Sequence, residues 1–199
     1  MSVVSTSAEV PRNLLNEWLE EGVKTGIPNP EAIALATVAS DGRPSVRMVL
    51  FKGFKGSALT FYSNYESRKA QEMEANPNVA LVFHWTTLEK QIRVEGTVRK
   101  MSREDSESYF HSRPRGSQIG AWASRQSRPI QSMAELEAQV AAVESKFKDQ
   151  VVPLPQWWGG YLVEPKTYEF WSGRPSRLHE RIVFTREASD AWSRFQLSP

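Results

Sequence analysis

Three stretches of the sequence place cations where local structure does not favour them. At Ser67-Arg68-Lys69 a serine stands where it would cap a short helix, and the two cations after it fall in that helix's first turn. The helix dipole disfavours positive charge there by roughly 0.3–1 kcal/mol per residue. An anion bound at the same N-terminus reverses the sign, because free N–H groups and two cations then converge on it. Taken alone, two solvated charges on a tolerant surface helix are the plainer account.

The second stretch, Ser108 to Ala134, contains no Asp or Glu but holds Arg113, Arg115, Arg125 and Arg128 among Tyr109, Ser112, Ser117, Ser124, Gln126 and Ser127. Arginine forks with hydroxyls supply what a phosphate monoester requires: charge, fixed geometry and several donors. Ser117 is placed to cap a following helix and add backbone N–H groups. A basic surface face is the competing account. Few aromatics interleave the charges, which argues against nucleic acid. The third stretch, Gly173 to Arg181, carries Arg174, Arg177 and Arg181 with His179, just after Phe170-Trp171. His179 there is suited to proton transfer or to donating a hydrogen bond to an anionic ring oxygen. A surface turn with an arginine paired to Glu180 remains equally open.

Several common sites are missing. No Gly-x-Gly-x-x-Gly fingerprint, phosphate loop of the Gly-Lys-Ser/Thr type or Gly-x-Ser-x-Gly elbow occurs. The histidines His84, His111 and His179 are not at metal-ligand spacing, so no metal is expected. With no cysteine, disulfides, thiolate metal sites and cysteine nucleophiles are excluded. The net charge of +2 is too small to argue for a nucleic-acid or membrane partner. No apolar run approaches the ~20 residues of a membrane span. Met1 to Glu9 do not read as a signal peptide, so the expected compartment is the cytoplasm.

The elements that must position these residues read as many short strands with a few helices. Pro11 to Lys24 is amphipathic, with Leu15, Trp18, Leu19 and Val23 at helical spacing. Ala32 to Ala39 and Val46 to Phe51 read as strands joined by an Asp41-Gly42 turn. Further strands are expected at 58–63, 79–85 and 91–100, where Ile92, Val94 and Val98 face one way and Gln91, Arg93 and Glu95 the other. Later strands are expected at 160–163, 167–171, 182–185 and 192–196. Helices are expected at 68–75 (stopped by Asn76-Pro77), 103–111, 118–124 and 133–148. The last opens on a capping box, Ser132 to Glu135, and buries Leu136, Val140, Val143 and Phe147. Trp157-Trp158 are assigned to packing. The 199 residues, 40% of them hydrophobic, suffice for one domain over 11–199 behind a flexible tail at 1–10. The class is α+β, built on a β-barrel.

The runs Arg47-Met48-Val49-Leu50-Phe51-Lys52, Tyr62-Ser63-Asn64, Ser67-Arg68-Lys69-Ala70 and Gln91-Ile92-Arg93-Val94-Glu95-Gly96 resemble the pyridoxine/pyridoxamine 5′-phosphate oxidases. So do Tyr109 to Arg115, Ser117 to Trp122, Ser124 to Ser127, Trp158-Gly159-Gly160, Glu169-Phe170-Trp171, Arg177 to Arg181 and the closing Leu197-Ser198-Pro199. The likeness runs in order from about Leu14 to Pro199.

The resemblance implies a split β-barrel with peripheral helices that forms a homodimer, with FMN in the cleft between subunits. Arg47 and Lys69 would hold the FMN phosphate, with Arg68 and Ser127 beside them. Met48, Val49, Leu50, Phe51, Tyr62 and Ser63 would line the flavin, and Lys52 would close that run. Gln91 and Gln126 would hydrogen-bond the flavin; Trp171 and Arg181 would close the site. Lys52, Tyr109, Arg113 and Ser117 would meet the phosphate of pyridoxamine or pyridoxine 5′-phosphate. Arg177 and His179, with Leu178 between them, would sit over the substrate ring, Arg177 and His179 serving the chemistry. That chemistry is a hydride transfer from the substrate's C4′ to the flavin, with O2 as acceptor and hydrogen peroxide as product.

Arg47 and Lys52 are five positions apart, so a regular strand would point them to opposite faces. Serving different phosphates requires the strand to end, bulge or curl near Lys52. Relatives often carry a longer N-terminal segment that folds over the substrate. Met1 to Val10 match none of it, so substrate closure and any second site for the product are expected to differ. The alternatives to this reading are a split-barrel flavin oxidase of other specificity, such as the phenazine-biosynthesis relatives, a non-catalytic binder of FMN or pyridoxal phosphate, and an RNA-binding module.

Overall fold

The alternation over 91–100 becomes a strand that buries Ile92, Val94 and Val98 and turns Arg93 and Glu95 outward. That pattern, repeated along the chain, builds one antiparallel sheet. The computed structural model describes residues 4–7 and 9–199, and side chains at Ser7 and from Glu9 onward. Its strands are β1 (Val4–Thr6), β2 (Ala32–Val38), β3 (Pro44–Leu50), β4 (Phe54–Lys55), β5 (Ala58–Asn64), β6 (Asn78–Trp85), β7 (Lys90–Lys100), β8 (Trp158–Ser172), β9 (Glu180–Arg186) and β10 (Trp192–Leu197). Its helices are α1 (Val10–Lys24), α2 (Arg68–Ala75), α3 (Arg103–Ser112), α4 (Arg115–Ala123) and α5 (Met133–Lys146). Part of the tail expected at 1–10 forms β1, which pairs with β10; Met1–Val3 and Ala8 lie outside the described residues.

The strands run β1-β10-β9-β8-β7-β6-β2-β3, with β5 on the flank of β8 and β4 paired to β5. β8 is the pivot. Its first half pairs with β5, from Trp158↔Asn64 to Val163↔Leu59, and its second half with β9, from Thr167↔Thr185 to Ser172↔Glu180. The two strands expected at 160–163 and 167–171 are therefore one. Pro165 lies in the gap where neither β5 nor β9 pairs, so its missing N–H breaks no ladder there. On the other flank Pro165 faces Gly96, where the register shifts. A Cβ on Gly96 would collide with the Glu164 carbonyl, so glycine lets the two strands close at this bulge.

Two backbone bonds complete a ring. Lys52 N–H donates to Thr60 O (2.8 Å), and Thr60 N–H donates to Gly53 O (2.9 Å). They join the end of β3 to β5, so β2, β6, β7, β8, β5 and β3 enclose a barrel split along the rest of the β3–β5 seam. Its interior is filled by Ile33, Leu35, Leu59, Phe61, Leu81, Phe83, Ile92, Val94, Val163 and Phe170, all nearly inaccessible. A second cluster, around Phe110, Ile119, Phe147, Val152, Leu154 and Trp158, fixes α3, α4 and α5 against the outside of β8. The Ser132 hydroxyl caps α5 as expected, accepting from Glu135 N–H at 3.3 Å. The expected burial of the helix is not realised: Leu136, Val140 and Val143 are only half-buried, and Phe147, at the C-cap, is the buried anchor. No helix among the described residues is long and apolar enough to cross a membrane.

Candidate active site

The chain leaves β3 at Leu50, as the Arg47–Lys52 spacing requires, and turns through Gly53 at φ +90°. This turn aims Lys52 into a cleft of about 580 Å³ between the open seam of the barrel and helices α3 and α4. Of the expected residues, Met48, Val49, Leu50, Lys52, Tyr62, Ser63, Lys69, Tyr109, Arg113, Ser117 and Gln126 line it. A cleft of this size is in the range of small-molecule sites, about 300–1,000 Å³.

One wall is aromatic. Tyr62 and Tyr109 stack with centroids 3.7 Å apart, and Trp158 continues the stack 5.5 Å from Tyr62. Trp158 therefore does more than pack: it belongs to the cleft, and the Arg113 guanidinium lies 4.5 Å from its ring centre. Arg113 Nη1 is buried with no hydrogen-bond partner. Such an atom forfeits solvation without compensation, and burial lowers the arginine's pKa. Burial likewise raises the pKa of Tyr109, and raises that of Tyr62 to about 12, so both keep their protons. Ser117 reaches the cleft from the first turn of α4. Contrary to expectation it does not cap that helix; Pro114 occupies the cap position.

Another part of the cleft is cationic. Lys69 is 8% exposed, and its ammonium donates to Ser63 Oγ (3.0 Å), Ser67 Oγ (3.1 Å) and Gln126 Oε1 (2.6 Å). All three partners are neutral. Burial, aided by nearby Arg47, lowers its pKa to about 8. The expected Ser67 cap is also absent: its hydroxyl donates to Asn64 O instead (2.8 Å) and makes no cap bond to α2. The first turn of α2 has no acidic residue and keeps its N–H groups uncapped, which is the arrangement that favours a bound anion. Arg47 and Arg68 stand beside this region rather than in the cleft wall, and both pair with Glu72, at 3.1 and 2.8 Å.

The remaining expected residues lie elsewhere. The Phe51 side chain cannot line a flavin: it is 3% exposed, packed edge-to-face on Phe54 and Phe83 in the barrel. Ser127, at φ +70°, lines a neighbouring depression with Arg125 and Arg128 that shares Ser124 and Gln126 with the cleft. Gln91, Trp171 and Arg181 form a row of direct partners across β7, β8 and β9. His179 rests against Trp171 at 4.7 Å, and its Nδ1 accepts from Arg174 N–H. Arg177 and Leu178 are exposed. Arg174, of the three loop arginines, pairs with Glu180 (3.0 Å), while Arg181 pairs with Glu169 (2.8 Å). Ser176 and Arg177 both adopt left-handed backbone, at φ +57° and +61°, strain of a kind that concentrates at functional sites. None of this second group lines its own chain's cleft.

Sequence reasoning passed over Asn64 and Trp158 as cleft residues, and Glu72 as the partner of two arginines. Only Glu72 left a local signal, its i,i+4 spacing from Arg68.

A family model described as "Pyridoxamine 5'-phosphate oxidase" matches residues 19–147, and one described as "Pyridoxine 5'-phosphate oxidase C-terminal dimerisation region" matches residues 158–199. Curated relatives named pyridoxine/pyridoxamine 5′-phosphate oxidase include one from Rubrobacter xylanophilus, 51% identical over 95% of this chain and 87% of its own length. Another, from Leptospira interrogans, is 50% identical over 95% and 88%. Among solved structures, PhzG from Burkholderia lata, in complex with tetrahydrophenazine-1-carboxylic acid, superposes with a TM-score of 0.89 at 28% identity, covering 95% of this chain and 92% of that one. An FMN-binding protein from Nostoc punctiforme shares the fold, with a TM-score of 0.78 at 16% identity over 94% of this chain and 96% of that one.

Proposed function

Because this chain belongs to the pyridoxine/pyridoxamine 5′-phosphate oxidase family, we propose that it binds FMN between two copies of itself and makes pyridoxal 5′-phosphate. Pyridoxine 5′-phosphate is oxidised by O2 with release of hydrogen peroxide; pyridoxamine 5′-phosphate also takes up water and releases ammonia. The observation that carries this reading is the pair of cations in one cleft, buried Lys69 and half-buried Arg113 with its Nη1 enclosed, neither with a carboxylate to pair with among the described residues. A cofactor and a substrate that each bear a phosphate ester require two such cations.

The residues present fit FMN. Lys69, the uncapped first turn of α2 and nearby Arg47 and Arg68 are suited to its phosphate, and Met48, Val49 and Leu50 offer apolar contact to its ring. Bound FMN would supply the hydride acceptor. Arg113, with Lys52, Tyr109 and Ser117, would hold the substrate phosphate and so fix the distance of the reacting carbon from that acceptor. The aromatic wall of Tyr62, Tyr109 and Trp158 would shield the bound rings from water on that side.

Gln91, Trp171, Arg177, Leu178, His179 and Arg181 enter the reading through a second copy. All but Gln91 lie within 158–199, the stretch matched by the dimerisation region. On the other side, the edge strand β3 exposes Val46, Met48 and Leu50 beside the cleft. A partner that covers this strand and brings its 171–181 segment over the cleft would complete one site from two chains. Arg177 would then face the substrate with a full positive charge, favouring development of negative charge on the acceptor side, and His179 would stand within reach of a proton.

PhzG shares the fold closely, so a related flavin oxidase of other specificity is the rival reading. Arg113, whose Nη1 has no hydrogen-bond partner, with Lys52, Tyr109 and Ser117 in the same cleft, favours a phosphorylated substrate. Anaerobic mixing of the FMN-loaded protein with pyridoxamine 5′-phosphate tests the proposal. Bleaching of the flavin band, and its return on admitting air, is expected. A colourless protein that takes up no FMN, or a flavoprotein that pyridoxamine 5′-phosphate does not bleach, would overturn it.

A further inference from the structure

Glu72 is an acid where a phosphate site has reason to avoid one. Its side chain is 6% exposed, and it lies on α2 one turn beyond Arg68 and Lys69. Both oxygens are engaged. Oε2 accepts from Thr37 Oγ1, from Ser45 Oγ (2.6 Å) and from Arg47 Nη2 (3.1 Å); Oε1 accepts from Arg68 Nε (2.8 Å). Burial alone would raise its pKa, but the bonds from Ser45, Thr37, Arg68 and Arg47 outweigh burial and hold it at about 2. The group is therefore a carboxylate at neutral pH.

The carboxylate lies between two guanidinium groups of like charge. It grips Arg68 by Nε alone, so the two Nη groups have no partner among the described residues. It holds Arg47 from one side, while Leu35 O (3.0 Å) and Thr37 Oγ1 (2.6 Å) take Nη1. Arg47 comes from β3 and Arg68 from α2, and Thr37 on β2 ties the cluster to the barrel. With Arg47, Arg68 and Lys69 positive and Glu72 negative, the cluster carries a net charge of +2, which opposes the roughly −1.5 to −2 of a phosphate monoester.

Resting on the FMN reading above, we propose that Glu72 is a positioning residue: it holds Arg47 and Arg68 side by side, so that together with Lys69 they select flavin bearing a phosphate over flavin without one. Without the carboxylate the two guanidiniums repel, and Arg68, 65% exposed at its side chain, swings into solvent.

The test is fluorescence titration of flavin-free protein with FMN and, separately, with riboflavin. Glu72→Gln keeps the shape and removes the charge. It is expected to weaken FMN binding by roughly tenfold or more, the scale of losing charge-assisted contacts, and to leave riboflavin binding within about twofold, because the ring contacts are untouched. Ser45→Ala, which removes one donor to Glu72 and the hydroxyl that accepts from Arg47 Nη2, loosens the same cluster and moves the same ratio in the same direction by less. A wild-type protein with no preference for FMN over riboflavin would sink the flavin-phosphate reading itself, and this inference with it. A wild-type preference that survives intact in Glu72→Gln, or a parallel loss of both flavins, makes Glu72 a packing residue and overturns the inference alone. If Glu72→Gln does not fold, Ser45→Ala decides, and an unchanged ratio overturns the inference.

Discussion

The ammonium of Lys69 donates to Gln126 Oε1 across 2.6 Å, tying the first turn of α2 to the loop that follows α4. The cation meets three neutral acceptors and no carboxylate, and its pKa sits at about 8 instead of the usual 10.5. A phosphate arriving there stabilises the ammonium and raises that pKa again. Below pH 8 the free protein already carries the proton; above it, binding must take a proton from solvent. FMN affinity is therefore expected to be level up to about pH 8 and then to fall by as much as about tenfold per pH unit. Riboflavin, with no phosphate, should show no such fall, and Lys69→Met should bind FMN weakly with a level profile. Titrations from pH 7 to 10 decide it. An FMN profile as level as that of riboflavin would remove Lys69 from the phosphate site.

Arg113 Nη1 is a buried donor without a hydrogen-bond partner, and the proposed reading gives it to the substrate phosphate. Replacing it with alanine removes a charge-assisted contact of about 1.5–3 kcal/mol, so KM for pyridoxamine 5′-phosphate should rise by roughly 10- to 100-fold. FMN content should not change. Arg113→Lys keeps the charge but loses the planar fork over Trp158 and should recover only part of the loss. Steady-state kinetics beside flavin absorbance measure both. A KM within twofold of wild type in the alanine variant rejects the assignment.

The limits of the sequence show at particular residues. The span of α2 was legible to the residue because Ser67 opens it and Asn76-Pro77 ends it. β8 read as two strands because Pro165 interrupts it; only the exchange of partners from β5 to β9 makes that proline harmless. The cationic stretches were legible as clusters of charge and hydroxyl, since residue types survive in any local structure. Their use was not. Arg47 faces Glu72 because of how β3 lies on β2 and α2, a long-range fact with no local mark. Phe51 was taken for a site residue on the strength of its neighbours, yet the chain twists out of β3 at that point and sends the ring into the barrel.

Arg177 tests the chemistry apart from binding. It is exposed and held at φ +61° on a loop that touches no part of its own chain's cleft. If a second copy brings it over the substrate, Arg177→Ala should lower kcat by about 100-fold or more, the scale of a lost electrostatic contact at the reacting centre. FMN retention should stay near that of wild type. Flavin occupancy and single-turnover bleaching, measured on the same sample, separate the two. Equal loss of flavin and turnover would remove Arg177 from a direct role.

Val46 tests the two-chain site itself. It is 69% exposed on the edge strand β3, on the same face as Met48 and Leu50, and unlike them it does not line the cleft. A β-branched residue left bare on a sheet edge invites a partner. Burying a glutamate in its place without a counter-charge would oppose association. Val46→Glu should therefore be monomeric by light scattering at concentrations where the wild type is a dimer. Because the 171–181 segment would then be lost from the cleft, the monomeric variant should lose FMN, and a dilution series of the wild type should show flavin loss tracking the monomer fraction. A monomeric variant that keeps its flavin would place the whole cofactor site within one chain. A variant that remains a dimer would move the interface away from β3.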